Sequence, residues 1–324
     1  YRQIINSILS GIKNGVIRQN DSLPSINDLS LLFDISRDTT EKAYNYLKKI
    51  GVLGSVPGKG YFIKSTSVQQ SKRIFLLFNK LSTHKKIIYD AFVEAIGEDA
   101  GIYFYIYNNS FGLFQDLIQR HLLDDFTHFV IIPHFTEGGE NAHEIINQIP
   151  TDKLVLLDKQ LDGIEGDFAA VYENFAQDIY LALGQALPNL RKYQHLKIVF
   201  PTHTYHPNEI LKGFADFCRE NNFESSLVTD CQADALRAGD VYITLMEDDL
   251  VVLIKRLKAQ GLTIGEQVGI VSYNETPLKE ILLDGITVIS TDFRRMGQTA
   301  AQLILANSVE HIENPFQLIL RRSL

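Results

Sequence analysis

ISRDTTEKAYNYLKKIG, residues 35–51, is a helical run whose two ends differ in kind. Ala43, Leu47 and Ile50 share one face at helical spacing with Tyr44 beside them, so the later turns have a core to enter. The first turn carries Ser36, Arg37, Asp38, Thr39 and Thr40 instead, all able to hydrogen-bond and none required by a core. Ser36 can cap the helix. Just upstream, Ser25 with Asp28 three residues on forms an approximate capping box for another helix, which is expected to turn Leu29, Leu32 and Phe33 inward. Phe33-Asp34-Ile35 joins the two tightly. Two helices linked so closely make a helix-turn-helix, whose second helix offers its N-terminal residues to the DNA major groove.

That geometry gives the polar tip a use. The buried face holds the helix while its first turn meets DNA. Arg37 is the candidate for a bidentate contact to a guanine edge, or for a phosphate clamp. Thr39 and Thr40 suit phosphate oxygens or a thymine methyl. Upstream again, Ile4, Ile5, Ile8, Leu9 and Ile12 predict an amphipathic helix over 2–14, closed by Gly15. Downstream, GVLGSVPGKGYFI (51–63) reads as a hairpin whose Pro57-Gly58-Lys59-Gly60 turn can bring a lysine to a phosphate. The same stretch is one residue too short between its glycines for a nucleotide-binding loop, and Gly60 stands where Ser or Thr is needed. Charge agrees with the DNA reading: residues 1–67 hold nine Lys or Arg and five Asp or Glu, so of the net −8 the remainder carries −12. A basic head on an acidic body suggests that the head alone meets a polyanion.

From Tyr1 to about Lys64 the chain resembles the winged-helix DNA-binding domain of the GntR family of bacterial transcription regulators. The resemblance lies in the Leu-Pro-Ser entry, the Ser36-Arg37 pair, Ala43-Tyr44, Leu47, Gly51 and the Gly-x-Gly wing. It implies operator contacts from Ser25, Ser36, Arg37, Thr39, Lys59 and Gly60. Two arginines common in the family are replaced here by Asn27, still a candidate contact, and by Glu41. Both changes remove positive charge, so the operator sequence does not carry over.

Residues 65–72, STSVQQSK, are polar and patternless, which sets a division into a head (1–67), a linker (68–72) and a body (73–324). In the body, apolar runs (RIFLLF, IYFYIY, HFVIIP, KLVLL, LKIVF, DVYIT, VGIVS) alternate with helical stretches such as KKIIYDAFVEAIGE, EILKGFADFCREN and LVVLIKRLKAQ. The fold class expected is therefore multidomain: a mainly α winged helix-turn-helix with a β-hairpin wing, then a two-lobed α/β body with parallel sheets. Ligands of open parallel sheets bind beyond the carboxyl ends of the strands. That picks out Phe78, Asn79, His134, Asp158, Lys159, His203, Glu247, Asp248, Asn274 and Glu275 as candidates to hold a polyhydroxyl ligand. Acids outnumber bases in this set, which disfavours phosphorylated ligands.

KLVLLDKQLDG, LKGFADFCREN, VGIVSYNE, GITVISTDFRRMGQTAAQLIL and the terminal LILRRS resemble, in order, landmarks of the LacI-type sensor domain, akin to periplasmic sugar-binding proteins. The resemblance implies two lobes closing on a sugar or nucleoside, with Asp158 and Asn274 at the ligand and Thr291 at the lobe crossing. Family residues are replaced at Ile210 and at Met246-Glu247, so the ligand differs from the common sugars, or Tyr205, His203 and Asp248 substitute. A head of one family on a sensor of the other is the layout of arabinose-responsive repressors. The expected protein is a homodimeric repressor or activator on a pseudo-palindromic duplex, controlled by a small molecule, most plausibly a monosaccharide.

Other classes fit less well. HExxH, GxSxG and paired CxxC signatures are absent. His203 and His206 in HTYH lack a matching acid for a metal, and no lysine sits in a Schiff-base context, so neither metal nor cofactor is expected. The alternative is a GntR-type head on an enzymatic or non-sugar-binding body. Cys218 and Cys231 suggest a reducing compartment, no run reaches the roughly 20 apolar residues of a membrane span, and no export signal is evident after Tyr1. A cytoplasmic address without a membrane partner is the expectation.

Overall fold

The computed structural model describes residues 1–56, 60–66, 72–98 and 100–324. By contact the chain divides into two units: Tyr1–Leu76 with Gly97–Phe104 and Asp125–His128, and Leu77–Ile96 with Tyr105–Asp124 and Phe129–Leu324. The expected linker lies, up to residue 71, outside the described residues.

In the first unit, α1 (Arg2–Lys13), β1 (Ser22–Leu23), α2 (Ile26–Leu32), α3 (Arg37–Lys49), β2 (Leu53–Val56) and β3 (Gly60–Ile63) follow one another. The three strands form a small antiparallel sheet of order β1-β3-β2. Its core gathers Ile5 and Ile8 of α1, Leu29 of α2, Ala43, Tyr44 and Leu47 of α3, and Val52, Leu53 and Ile63 of the hairpin. α1 and α3 thus each lend an apolar stripe, as the 3.6-residue period requires. Leu32 and Phe33 do not join this core: they are 70% and 63% exposed. The seven residues of α2 make two turns, and Leu29 alone is buried on it. Gln19, Arg2 and Asn6 tie the helices to nearby backbone carbonyls, and Lys13 pairs with Asp125 at 2.6 Å.

The chain continues as β4 (Lys72–Phe78), α4 (Thr83–Ile96), β5 (Ala100–Ile106), α5 (Phe111–His121), β6 (His128–Ile131), α6 (Ala142–Ile146), β7 (Leu154–Asp158) and β8 (Ala169–Tyr172). Next come α7 (Phe175–Gln185), α8 (Leu187–Leu190), β9 (His195–Val199), α9 (Glu209–Glu220), β10 (Glu224–Val228), β11 (Asp240–Thr244) and α10 (Glu247–Ala259). The last elements are β12 (Gly269–Tyr273), α11 (Pro277–Ile281), β13 (Thr287–Thr291), α12 (Phe293–Ala306), β14 (His311–Glu313) and β15 (Phe316–Ile319). Two six-stranded sheets result, of order β14-β8-β7-β6-β4-β5 and β10-β9-β11-β12-β13-β15, and each defines a lobe. In the second, β9 to β13 are parallel and β15 alone runs against its neighbour. Both faces of that sheet are apolar, with Ile198, Ile243 and Val271 packed on one side and Val199, Tyr242 and Ile270 on the other. Burial on both faces is what makes such strands read as continuous hydrophobic runs.

Three segments cross between the lobes. β8 leads into α7, which packs on α9 of the second lobe, and β13 leads into α12, which packs on α4 of the first. The last joins β14 to β15 through Pro315. The crossings are laced together: Asn314 Nδ2 donates to Thr291 Oγ1 at 2.7 Å and to the Asp292 carbonyl at 3.0 Å, and the Asp292 N–H donates to Pro315 O. Gly297 lets α12 lie close on α4, since a Cβ there would stand 2.4 Å from the Ile88 carbonyl oxygen.

Candidate functional site

In the head, Ser25 Oγ accepts from the Asp28 N–H at 3.1 Å while the Asp28 carboxylate accepts from the Ser25 N–H, so the capping box is complete. Ser36 Oγ accepts from the Thr39 N–H at 3.1 Å and meets the Thr39 hydroxyl at 2.8 Å. These caps fix where α2 and α3 begin. Arg37 stands exposed on that turn with no ion pair among the described residues, Asn27 is exposed on α2, and Asp38 is bound by Lys42 at 2.8 Å. Thr40 departs from expectation. It is fully buried and shares a 3.0 Å hydrogen bond with Ser30, so it ties α2 to α3 and does not reach a duplex. Gly60 opens β3 at φ 85°, a left-handed conformation suited to glycine, whereas Lys59 lies outside the described residues.

In the body, a small cavity of about 70 Å³ lies between the lobes, lined by Lys80, His84, Lys85, His134, Asp158 and Glu173 of one and by Tyr205, His206, Tyr273 and Asn274 of the other. His134, Tyr205 and His206 also line an adjoining open groove of about 840 Å³, where Lys159 sits. Asp158 ends β7 at φ 74° and turns its carboxylate inward, where Lys85 Nζ bonds it and His134 Nε2 stands 3.3 Å away. Burial works against that charge, but the Lys85 ammonium and His134 overcome it and hold the carboxyl well below the usual range. Glu173, the first residue after β8, behaves oppositely. Burial and then the Asp158 and Asp178 carboxylates push it well above the carboxylate range, which favours its protonated, hydrogen-bonding form beside Asp158.

Two histidines of the cavity are kept uncharged. His84 is pushed down to about 4 by burial, then by Lys279 and Lys85, and His206 to about 3 by burial, then by His134 and Lys80. Lys279, itself buried, donates to the carbonyls of Tyr273 and Asn274 at 2.7 and 2.8 Å and so shapes the turn on which Asn274 sits at φ 64°. His84 Nε2, His134 Nδ1 and the Tyr273 hydroxyl are buried polar atoms with no partner among the described residues. Native interiors rarely leave such atoms unmatched, so a polar guest is the economical account.

Of the expected ligand residues, the structure brings His134, Asp158, Tyr205 and Asn274 to the cavity and Lys159 to the groove. It does not bring the others. Phe78 is fully buried in its lobe, and Asn79 is committed to Asn109 at 2.7 Å. Glu247 and Asp248 lie exposed on the first turn of α10. Glu275 pairs with Arg321 at 2.6 Å, and Thr291 serves the crossing. With three of those acids gone and three lysines near, the acidic balance expected from the strand ends does not hold. Lys80, His84, Lys85 and Glu173 escaped sequence reasoning, although "STHKK" directly after a strand was a signal for the middle pair. Cys218 and Cys231 are free and buried. Among the described residues no group of three His, Cys, Asp or Glu can hold a metal; His206 Nε2 instead faces Met246 Sδ at 3.2 Å.

A helix-turn-helix head with a β-hairpin has the form of a DNA-binding module, and two lobes around a polar cavity have the form of a small-molecule binding fold. Comparison with known proteins makes this more particular. Residues 1–63 match the profile of the bacterial regulatory proteins of the gntR family, and residues 189–324 that of the periplasmic binding protein-like domain. The chain thus carries a GntR-type DNA-binding domain at its N-terminal end and a periplasmic binding protein-like domain in its C-terminal part. It is 24% identical over 95 residues to the HTH-type transcriptional repressor YtrA of Bacillus subtilis (strain 168), covering 29% of this chain and 69% of that one. A dimeric Lac repressor with an 11-residue C-terminal deletion shares the fold at a TM-score of 0.63 and 14% identity, over 78% of this chain and 98% of that one. A LacI family transcriptional regulator from Lactobacillus casei with bound glucose does so at 0.62 and 13%, over 78% and 100%. No helix among the described residues is long and apolar enough to cross a membrane.

Proposed function

We propose that this protein is a homodimeric repressor whose grip on a pseudo-palindromic operator is set by a sugar-like effector held between the lobes. The observation that carries the reading is the small inter-lobe cavity with its three buried polar atoms that lack a partner among the described residues. Ser25, Asn27, Ser36, Arg37, Asp38, Thr39, Lys59 and Gly60 make the operator surface. His134, Asp158, Tyr205 and Asn274 are joined by Lys85, Glu173 and Tyr273 around the effector. The functional division is a head over 1–67, a linker over 68–72 and an effector body over 73–324, and the place of work is the cytoplasm, with the DNA. The bound glucose of the Lactobacillus casei protein and the repressor relative support it.

Effector control requires unequal affinity for the DNA-competent and DNA-incompetent arrangements, typically about 1–3 kcal/mol of coupling. The test selects bound duplexes from a random pool, then measures their affinity at 50 and 200 mM salt with and without sugars and sugar derivatives. A steep fall with salt and a change of about 5–150-fold with one of them are expected. Duplex binding indifferent to salt, or to every compound that the body binds, refutes the scheme.

A further inference from the structure

The charges around the cavity do not cancel. Lys80 reaches it from the segment after β4, Lys85 from α4, and Lys279 lies behind it on α11. All three stand near enough to His84 to oppose its protonation. Against them the wall sets two adjacent carboxyl groups, of which Asp158 is held toward its charged form and Glu173 pushed toward its protonated one. Asp158 is already used by Lys85 and His134. Among the described residues Lys80 donates to the phenol of Tyr205, over whose ring it lies at 4.2 Å from the centroid. Lys279 donates there to backbone carbonyls. Neither makes an ion pair among the described residues; Glu247 attracts both through space from the exposed start of α10, joined by Asp158 for Lys80 and by Glu275 for Lys279. Withdrawing a cation from water without a directly paired counter-charge is costly; half-buried Lys80 lines the chamber in that state, and buried Lys279 stands behind it.

The rest of the wall suits hydroxyls. His84 is bonded to the Glu275 backbone through one nitrogen, so its unmatched Nε2 is the acceptor of the neutral ring. Tyr273 OH can donate or accept, Asn274 can do both, and Phe175, Phe293 and Ile210 supply apolar faces.

Resting on the reading of the cavity as the effector site, we infer that the effector is an anionic polyol, a compact hydroxylated molecule bearing a carboxylate or phosphate that Lys80 and the field of Lys279 receive. A sugar acid and a sugar phosphate share this chemistry.

The experiment is calorimetric titration of the full chain at 50 mM salt with matched sets: arabinose, arabinonate and arabinose 5-phosphate; glucose, gluconate and glucose 6-phosphate. Inorganic phosphate serves as the control for charge alone. At least one charged member is expected to bind tenfold or more tightly than its neutral parent and than inorganic phosphate, and the better of the two arms names the anion. Lys80→Met should shrink that preference to less than threefold while Lys80→Arg keeps it, which separates lost charge from lost fold. A neutral parent that binds as tightly as its charged partners overturns the inference and leaves the sugar-controlled regulator standing. So does a preference that survives Lys80→Met. If no member of either set binds, the effector reading falls and the inference with it.

Discussion

Replacing Asp158 by Asn removes one charge from the centre of the cavity and very little else. Asp158 sits at φ 74°, a region that Asn tolerates well, so the backbone is not strained by the change. Its partner Lys85 is 7% exposed and Asp158 itself 5%. With the carboxylate gone, the ammonium is stranded in a site that water scarcely reaches, and breaking a buried pair from one side costs about 3–5 kcal/mol. That is a large share of the roughly 5–15 kcal/mol that holds a domain folded. Removing both charges, in Lys85→Met with Asp158→Asn, should recover all but about 1–2 kcal/mol, because an apolar replacement of a buried pair is often close to neutral. The assay is urea unfolding of the full chain at pH 7 by circular dichroism, the body transition being the one that Thr40→Val in the head leaves in place. The pH dependence has a definite sign. Asp158 titrates lower when folded, so its contribution is present above the unfolded value of about 4 and fades as the pH falls below it. The gap between wild type and Asp158→Asn should therefore narrow in acid. A loss under about 1 kcal/mol, the scale of an exposed ion pair, or a double variant no better than the single one, would refute this account of the cavity.

Three further outcomes are expected. Arg37→Ala should weaken duplex binding and lower the salt slope by about one, with calorimetric effector affinity unchanged. Burial and then Glu313 push Asp178 up to about 7, so it favours the fold below about 4 and ceases to as the pH rises through 7. Asp178→Asn should accordingly raise the urea midpoint at pH 8 and leave it unmoved near pH 4. Gly297→Ala should destabilise the body by about 1–3 kcal/mol in the same unfolding assay, because the new methyl meets the Ile88 carbonyl oxygen.

The parts of the fold that showed in the sequence are those where one element alone carries the pattern. The stripes of α1 and α3 were legible, and so were the strands buried on both faces, such as Leu154–Asp158 and Asp240–Thr244. β10 was not, because as an edge strand it exposes most of Glu224–Val228 and has no apolar run. Leu32 and Phe33 misled for a related reason: hydrophobicity names a face only when the helix is long enough to have one buried along its length. The strand-end rule reached Asp158 and His134 because their positions follow from a single strand. It could not reach Lys85, whose meaning depends on a carboxylate 73 positions away, nor Glu173, which looks like any acid after a strand until Asp158 is beside it. Thr40 and Thr39 are neighbours in sequence with similar chemistry, and only the packing of α2 separates their roles.

The triple passage of the chain between the lobes bears on how the protein is made. The first lobe lacks its edge strand until residues 311–313 have been synthesised, and α4 lacks its cover until α12 emerges. A nascent chain must therefore keep half-finished sheet margins out of trouble through most of its translation, which invites chaperone engagement and slow, long-range completion. The head, whose contact unit is complete by His128, faces a far shorter wait.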